Sequence, residues 1–266
     1  MLKLGLLGAG AIGADVIAMV QEEFAERIAI PAVLVRRNRD YKLDNYPFIT
    51  NDSNEFFKYD FNVILEGAGH AAVQDYGERI LHSGTDLLVT SVGAFTDDAL
   101  YQRCINAATS SGAKLIIPSA GIGALDTLAA AAVGGLTSVH MIVRKDPSAW
   151  YGTHAESVFD LPNMTKPTVI FEGSPREGAA LYPQNVNISA AVSLAGMGLD
   201  LTRLTIIADT DIDTHVCEVH AEGAFGKFSF VENLAVAKTN RKTAKIVAMA
   251  VMKTVRQMVS PVIIGA

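Results

Sequence analysis

An apolar run, Leu2-Lys3-Leu4-Gly5-Leu6-Leu7, leads directly into Gly8-Ala9-Gly10-Ala11-Ile12-Gly13, and a helical stretch from Ala14 to Glu22 follows. A strand feeding Gly-x-Gly-x-x-Gly and then a helix is the dinucleotide-binding turn in its expected context. Gly8 allows the tight turn, Gly10 lets the backbone approach a pyrophosphate, and Gly13 lets helix and strand pack closely. The helix N-terminus offers N–H groups and partial positive charge to phosphate. The expectation is NAD or NADP held by Gly8, Gly10, Ala11, Ile12 and Gly13.

The pattern that follows fits such a unit. Strand-like runs at Ile28 to Val35, Asn62 to Glu66, Asp86 to Ser91 and Lys114 to Pro118 alternate with helical patterns at Val73 to Ser83 and Asp97 to Ser110. Repeated β-α alternation implies a parallel sheet with crossover helices. Near Asp126 the pattern changes. Val139 to Arg144, Thr168 to Glu172, Arg203 to Ala208 and His215 to Val231 read as sheet strands, with a hairpin turn at Gly223-Ala224-Phe225-Gly226. Helical patterns fall at Pro175 to Leu181, Val186 to Ala195 and Lys242 to Met258. The predicted fold is α/β: a Rossmann-type doubly wound parallel sheet over 1–125, then a second α+β domain over 126–240. The C-terminal helix, 241–266, is expected to join the first domain.

Composition narrows the partners. The chain has 266 residues, 50% of them hydrophobic, and a net charge of −6, enough for two modest cores. The acidic balance and the absence of a large basic cluster argue against a nucleic-acid partner. Cys104 and Cys217 are not spaced as a redox or zinc pair, which suits a reducing cytoplasm. The apolar N-terminus is a strand rather than a signal peptide. The long apolar stretch Leu115 to Leu136 contains Pro118 and Asp126, so a strand, a turn and a core helix are expected there, not a membrane span. Asp209-Thr210-Asp211-Ile212-Asp213-Thr214 lacks the glycine and final glutamate of a calcium loop, and no metal is expected.

The second strand ends Val35-Arg36-Arg37-Asn38-Arg39, with no acid where the ribose hydroxyls of NAD usually find one; Asp40 comes too late. An arginine in that place can hold a 2′-phosphate, so NADP is expected to bind at least as well as NAD, through Arg36 or Arg37. Of the six histidines, His70 follows the third-strand turn, and His215 and His220 stand five apart on the hairpin and so face opposite ways. The acids leading into His215 are of a kind that raises a histidine pKa. Asn185 and Asn187 open a helix. One can serve as a cap, and an amide also suits a nicotinamide carboxamide.

Several segments, in order along nearly the whole chain, resemble the L-aspartate dehydrogenases: Leu65-Glu66-Gly67-Ala68-Gly69, Ser91-Val92-Gly93-Ala94-Phe95, Ile117 to Asp126, Phe171-Glu172-Gly173-Ser174, Asn185-Val186-Asn187, Gly223 to Gly226 and Asn240-Arg241-Lys242-Thr243. The resemblance implies oxidative deamination of L-aspartate to iminosuccinate with NAD or NADP. The imine is then hydrolysed to oxaloacetate and ammonia or used for quinolinate and NAD synthesis. It places the active-site histidine at His215 and cofactor contacts at Gly121 and Asn187, and it implies a homodimer, with 126–240 as the substrate, catalytic and dimerisation domain. A histidine suits proton transfer to nitrogen and water near neutral pH. The two substrate carboxylates need cationic or N–H partners, for which Arg144, Lys145 and Lys242 are candidates. The chain departs from the family pattern at Ser119-Ala120-Gly121, Ala124, Asp213 and Asn240 to Ala244. Two other readings compete: an oxidoreductase acting on another small amino or hydroxy dicarboxylate, and a non-catalytic dinucleotide sensor.

Overall fold

The computed structural model describes residues 1–37, 48–119, 121–183, 186–235 and 246–265. Asn38, Arg39, Asp40, Ala120, Asn185 and Asn240 to Ala244, with Lys242 among them, lie outside the described residues. The chain forms two compact units, 1–118 with 248–264 and 119–247 with the last two residues.

In the first unit, β1 (Leu2–Leu7) runs into α1 (Ala11–Met19), which continues as a π-helical turn through Phe24. The single strand expected over Ile28 to Val35 is two, β2 (Ile28–Ala29) and β3 (Ala32–Leu34). Pro31 between them has no N–H to give the ladder. The strand β4 (Phe48–Thr50) and the short helix α2 (Ser53–Phe56), capped by Asp52, come next. Then follow β5 (Val63–Glu66), α3 (His70–His82), β6 (Asp86–Val89), α4 (Asp98–Ser111) and β7 (Leu115–Ile116). The strands make one parallel sheet in the order β4-β3-β1-β5-β6-β7, with β2 beside β1. Strand order reverses at β1, which lies between β3 and β5. Doubly wound sheets bind ligands at such a switch point, outside the carboxyl ends of the strands.

The second unit opens with α5 (Leu125–Val133) and β8 (Leu136–Lys145), followed by α6 (His154–Val158), β9 (Thr168–Gly173), α7 (Pro175–Leu181) and α8 (Asn187–Ala195). The strands β10 (Arg203–Ala208), β11 (His215–Gly223) and β12 (Gly226–Leu234) complete a sheet in the order β12-β11-β8-β10-β9. It is antiparallel except between β8 and β10. The turn between β11 and β12 falls at Gly223 to Gly226, with Gly226 at φ 109°.

Side chains alternate across this sheet. Val139, Met141 and Val143 of β8 and Cys217, Val219 and Ala221 of β11 are buried. The helices α5 and α8 cover that side, and at Gly196 a Cβ would stand 3.3 Å from Leu128 and 3.4 Å from Val139. The opposite side carries a polar chain: Asp209 and Glu218 both bind Arg144, Glu218 and Ser229 bind His220, and His140 binds Thr205.

The last helix, α9 (Ile246–Met258), brings Val251, Met252 and Val255 into the core of the first unit, with Leu4, Leu6, Val16, Ile17 and Leu65. Its apolar stripe at i, i+1 and i+4 explains why it docks on a sheet. Among the described residues no helix is long and apolar enough to cross a membrane.

Candidate functional site

The three glycines of the first turn are glycines for different reasons. Gly8 has φ 96°, a backbone region that side chains resist. A Cβ on Gly13 would lie 2.5 Å from the Gly8 carbonyl oxygen, so the approach of helix to turn requires its absence. Gly10 has neither constraint. Its φ is −77°, and a Cβ there would meet nothing within 4 Å. Among the described residues no conformational or packing need excludes a side chain at Gly10, whereas a phosphate lying against the backbone would exclude one. No side chain caps α1 at its first turn, so Ala11, Ile12 and Gly13 retain the donor edge an anion uses. The residues fit a dinucleotide.

Arg36 is exposed, two residues beyond the end of β3, whose Leu34 carbonyl accepts the Gly8 N–H at 2.8 Å. That hydrogen bond places the start of the Arg36-Arg37 segment beside the glycine turn.

In the second unit, four separate segments meet on the helix-covered face of the sheet. His215 starts β11 and is 6% exposed, and its cross-strand partners are Lys145 of β8 and Leu234 of β12. Such partners project to the same face. Lys145 is 5% exposed and its Nζ lies 5.4 Å from the centroid of the Trp150 ring, a cation–π contact in a dry setting. Two residues along β11, Cys217 faces Glu232 of β12. Glu232 Oε1 accepts the N–H of Gly123 at 3.0 Å and so ties the loop before α5 to this face. Burial pushes the Glu232 carboxyl up, against the pull of that N–H. In the same loop a Cβ on Gly121 would stand 3.0 Å from Ile188 Cδ1. Gly121 thus abuts the residue next to Asn187. Asn187 is the first helical residue of α8, and the cap position belongs to Val186, without a side-chain cap bond.

The candidates for the substrate carboxylates separate here. Arg144 projects to the sheet's other face, where Glu218 binds its Nε at 2.8 Å and Asp209 its Nη1 at 3.4 Å. It does not share the His215 face, because adjacent strand residues point oppositely. Lys145 does share it. Asp209, in the acidic lead-in to His215, gives its second oxygen to the Asp211 N–H at 3.0 Å. His220, on the Arg144 side, binds Ser229 at 2.8 Å. His70 begins α3, and His82 ends it on an exposed face beside Glu78.

Sequence reasoning passed over two acids that organise loops, Glu232 in the second unit and Glu66 in the first, where it binds the N–H groups of Ala68, Gly69 and Ser91. Glu232 drew no signal, because the loop it ties is remote in sequence. Glu66 carried one: an acid closing the apolar run Val63-Ile64-Leu65 just before a glycine turn.

Comparison with known proteins identifies the family. Residues 126–258 match the family model described as aspartate dehydrogenase, C-terminal, and residues 8–118 match the NAD binding domain of homoserine dehydrogenase. The L-aspartate dehydrogenase of Pseudomonas aeruginosa is 37% identical over 260 residues, covering 95% of this chain and 96% of the relative. That of Brucella anthropi is 36% identical, covering 97% of both. Among solved structures, aspartate dehydrogenase from Thermotoga maritima aligns over 99% of each chain with a TM-score of 0.76 at 21% identity, a likeness of fold. The chain belongs to the L-aspartate dehydrogenase family.

Proposed function

We propose that the protein oxidises L-aspartate with NAD or NADP. L-Aspartate and the oxidised dinucleotide give iminosuccinate, the reduced dinucleotide and a proton. Water then converts the imine to oxaloacetate and ammonia, unless quinolinate synthesis takes it, and reductive amination is the reverse. The pairing of buried His215 with buried Lys145 on the face that also carries the Gly121 loop supports this reading most directly.

Gly8, Gly10, Ala11, Ile12 and Gly13 would hold the pyrophosphate, Arg36 a 2′-phosphate, and Gly121 and Asn187 the nicotinamide end. When bound, the nicotinamide supplies hydride acceptance and donation at carbon. His215 takes a proton from the substrate α-ammonium, which frees the nitrogen lone pair that drives hydride loss from Cα. Once it has released that proton to solvent, the neutral imidazole accepts one from the water that adds at the imine carbon. Lys145 binds a substrate carboxylate and fixes Cα for transfer. The buried surroundings strengthen that attraction relative to water.

The cytoplasm is the proposed location, since both cysteines are free and buried, and the proposed assembly is a homodimer. The deciding experiment is a substrate screen with both dinucleotides, following reduced cofactor at 340 nm. Turnover with L-aspartate above that with malate and other amino acids is expected. Turnover with malate and none with aspartate would overturn the assignment. Dinucleotide binding with no turnover on any substrate would favour the sensor reading.

A further inference from the structure

The turn after β5 lies against the dinucleotide turn. A Cβ on Gly8 would stand 2.9 Å from the Gly67 carbonyl oxygen and 3.1 Å from Ala68 Cα. It therefore forms the neighbouring wall at the β1–β5 switch point. One side chain organises it. Glu66, 0% exposed, ends β5. Its Oε1 accepts the N–H groups of Ala68 at 2.7 Å and Gly69 at 2.8 Å, and the Ser91 hydroxyl at 3.0 Å. Its Oε2 accepts the Ser91 N–H at 3.0 Å. The Glu66 carbonyl also accepts from Thr90, through its N–H at 3.2 Å and its hydroxyl at 2.9 Å.

These contacts tie the turn after β5 to the turn after β6. Three of the four carboxylate partners are backbone N–H groups, which only donate, so they match an acceptor-only carboxylate. Burial pushes the carboxyl up, and the Gly69, Ser91 and Ala68 donors pull it down. A buried acid is a costly way to close a strand. What it secures here is the path of two turns at the carboxyl edge of the sheet. Gly69, at φ 107°, leads directly into α3 from this clamp.

We propose that Glu66 is a positioning residue for the dinucleotide: its carboxylate clamps the Gly67-Ala68-Gly69 turn to Ser91 and so shapes the crevice wall beside Gly8. Glu66 acts through the backbone it holds. The inference rests on the dinucleotide reading above and adds a determinant outside the glycine motif.

The test is Glu66→Gln. The amide oxygen can keep the Ala68 and Gly69 bonds, but its NH₂ then meets the Ser91 N–H, donor against donor. Expected are a folded protein whose Ser91 amide exchanges hydrogen faster in the cofactor-free state, and a Kd for NADH and NADPH weaker by about tenfold, the factor that follows when the released turn holds its binding conformation about a tenth of the time. The dinucleotide KM should rise while kcat at saturating dinucleotide holds. Ser91→Ala, which removes one of the four bonds, should weaken binding less. A folded Glu66→Gln protein with unchanged Kd overturns the proposal, even if the Ser91 amide exchanges faster. If Glu66→Gln does not fold, Ser91→Ala decides: weaker binding supports the clamp, and unchanged binding overturns it. A wild-type protein that binds neither dinucleotide overturns the underlying reading and Glu66's role with it, whereas intact wild-type binding with an indifferent variant removes the Glu66 role alone.

Discussion

His215 and Lys145 are cross-strand partners, 6% and 5% exposed, at the start of β11 and the end of β8. A buried cation beside a buried imidazole suits an anionic substrate. Lys145→Met keeps most of the stem and removes the charge. The KM for L-aspartate should rise by about 10- to 100-fold, the range that the loss of one charge-assisted hydrogen bond gives, while the Kd for NADH stays at the wild-type value. Steady-state kinetics and NADH fluorescence titration check both; an unchanged KM would remove Lys145 from substrate binding.

His215→Ala should retain dinucleotide binding and lose kcat by about 10²- to 10⁴-fold, the usual contribution of a general acid–base group. A kcat within a few-fold of wild type, measured at saturating substrate, would exclude the proton-transfer role.

Arg36 tests cofactor choice. Arg36→Ala should lower kcat/KM for NADP relative to NAD by about 10- to 100-fold through loss of a charge-assisted bond to phosphate. Arg37→Ala is the companion variant. If both leave the NADP/NAD ratio unmoved, the missing acid after β3 has another explanation.

Gly10 and Gly13 should separate binding from stability. Gly13→Ala drives a methyl to 2.5 Å from a backbone oxygen, and such overpacking costs about 1–3 kcal/mol. Its Tm should fall in the absence of cofactor. Gly10→Ala meets no neighbour within 4 Å, so its Tm should match wild type while its dinucleotide Kd weakens. Thermal melts and titrations on the same preparations distinguish the two. An unaltered Kd in Gly10→Ala would contradict the assigned pyrophosphate path.

His140 gives a pH prediction. Burial, with added repulsion from Arg203 and His220, lowers its pKa below 6.5. A depressed base binds fewer protons folded than unfolded near that pH. Its contribution to stability is therefore present above 6.5 and lost as pH falls through the folded pKa. His140→Gln, which can still meet Thr205, should lose less Tm between pH 7.5 and 5.5 than wild type. Equal losses would assign the acid sensitivity elsewhere.

Strong local patterns made much of this legible. The Gly8 to Gly13 turn, the alternation that implied a doubly wound sheet, and the Gly223 to Gly226 hairpin all follow from near-neighbour rules. Three features depended on something less local. Pro31 divided a strand whose apolar pattern read as continuous. Arg144 and Lys145 look equivalent in sequence, and only the pairing of Lys145 with His215 puts one on each face. Glu66 has a partner, Ser91, that lies 25 positions away, so its acid reads locally as an oddity at a strand end. The strand β4 and helix α2, short and flanked by aromatic and polar residues, carried too weak a period to register.

The docking of α9 on the first sheet has a consequence for synthesis. Val251, Met252 and Val255 are 0–4% exposed in the same core as Leu4 and Leu6, so the glycine-turn half cannot finish its core until residue 255 has left the ribosome. The hydrophobic strip meant for α9 stays open while the second unit is made, and nascent chains truncated before residue 248 should be the form that chaperones retain.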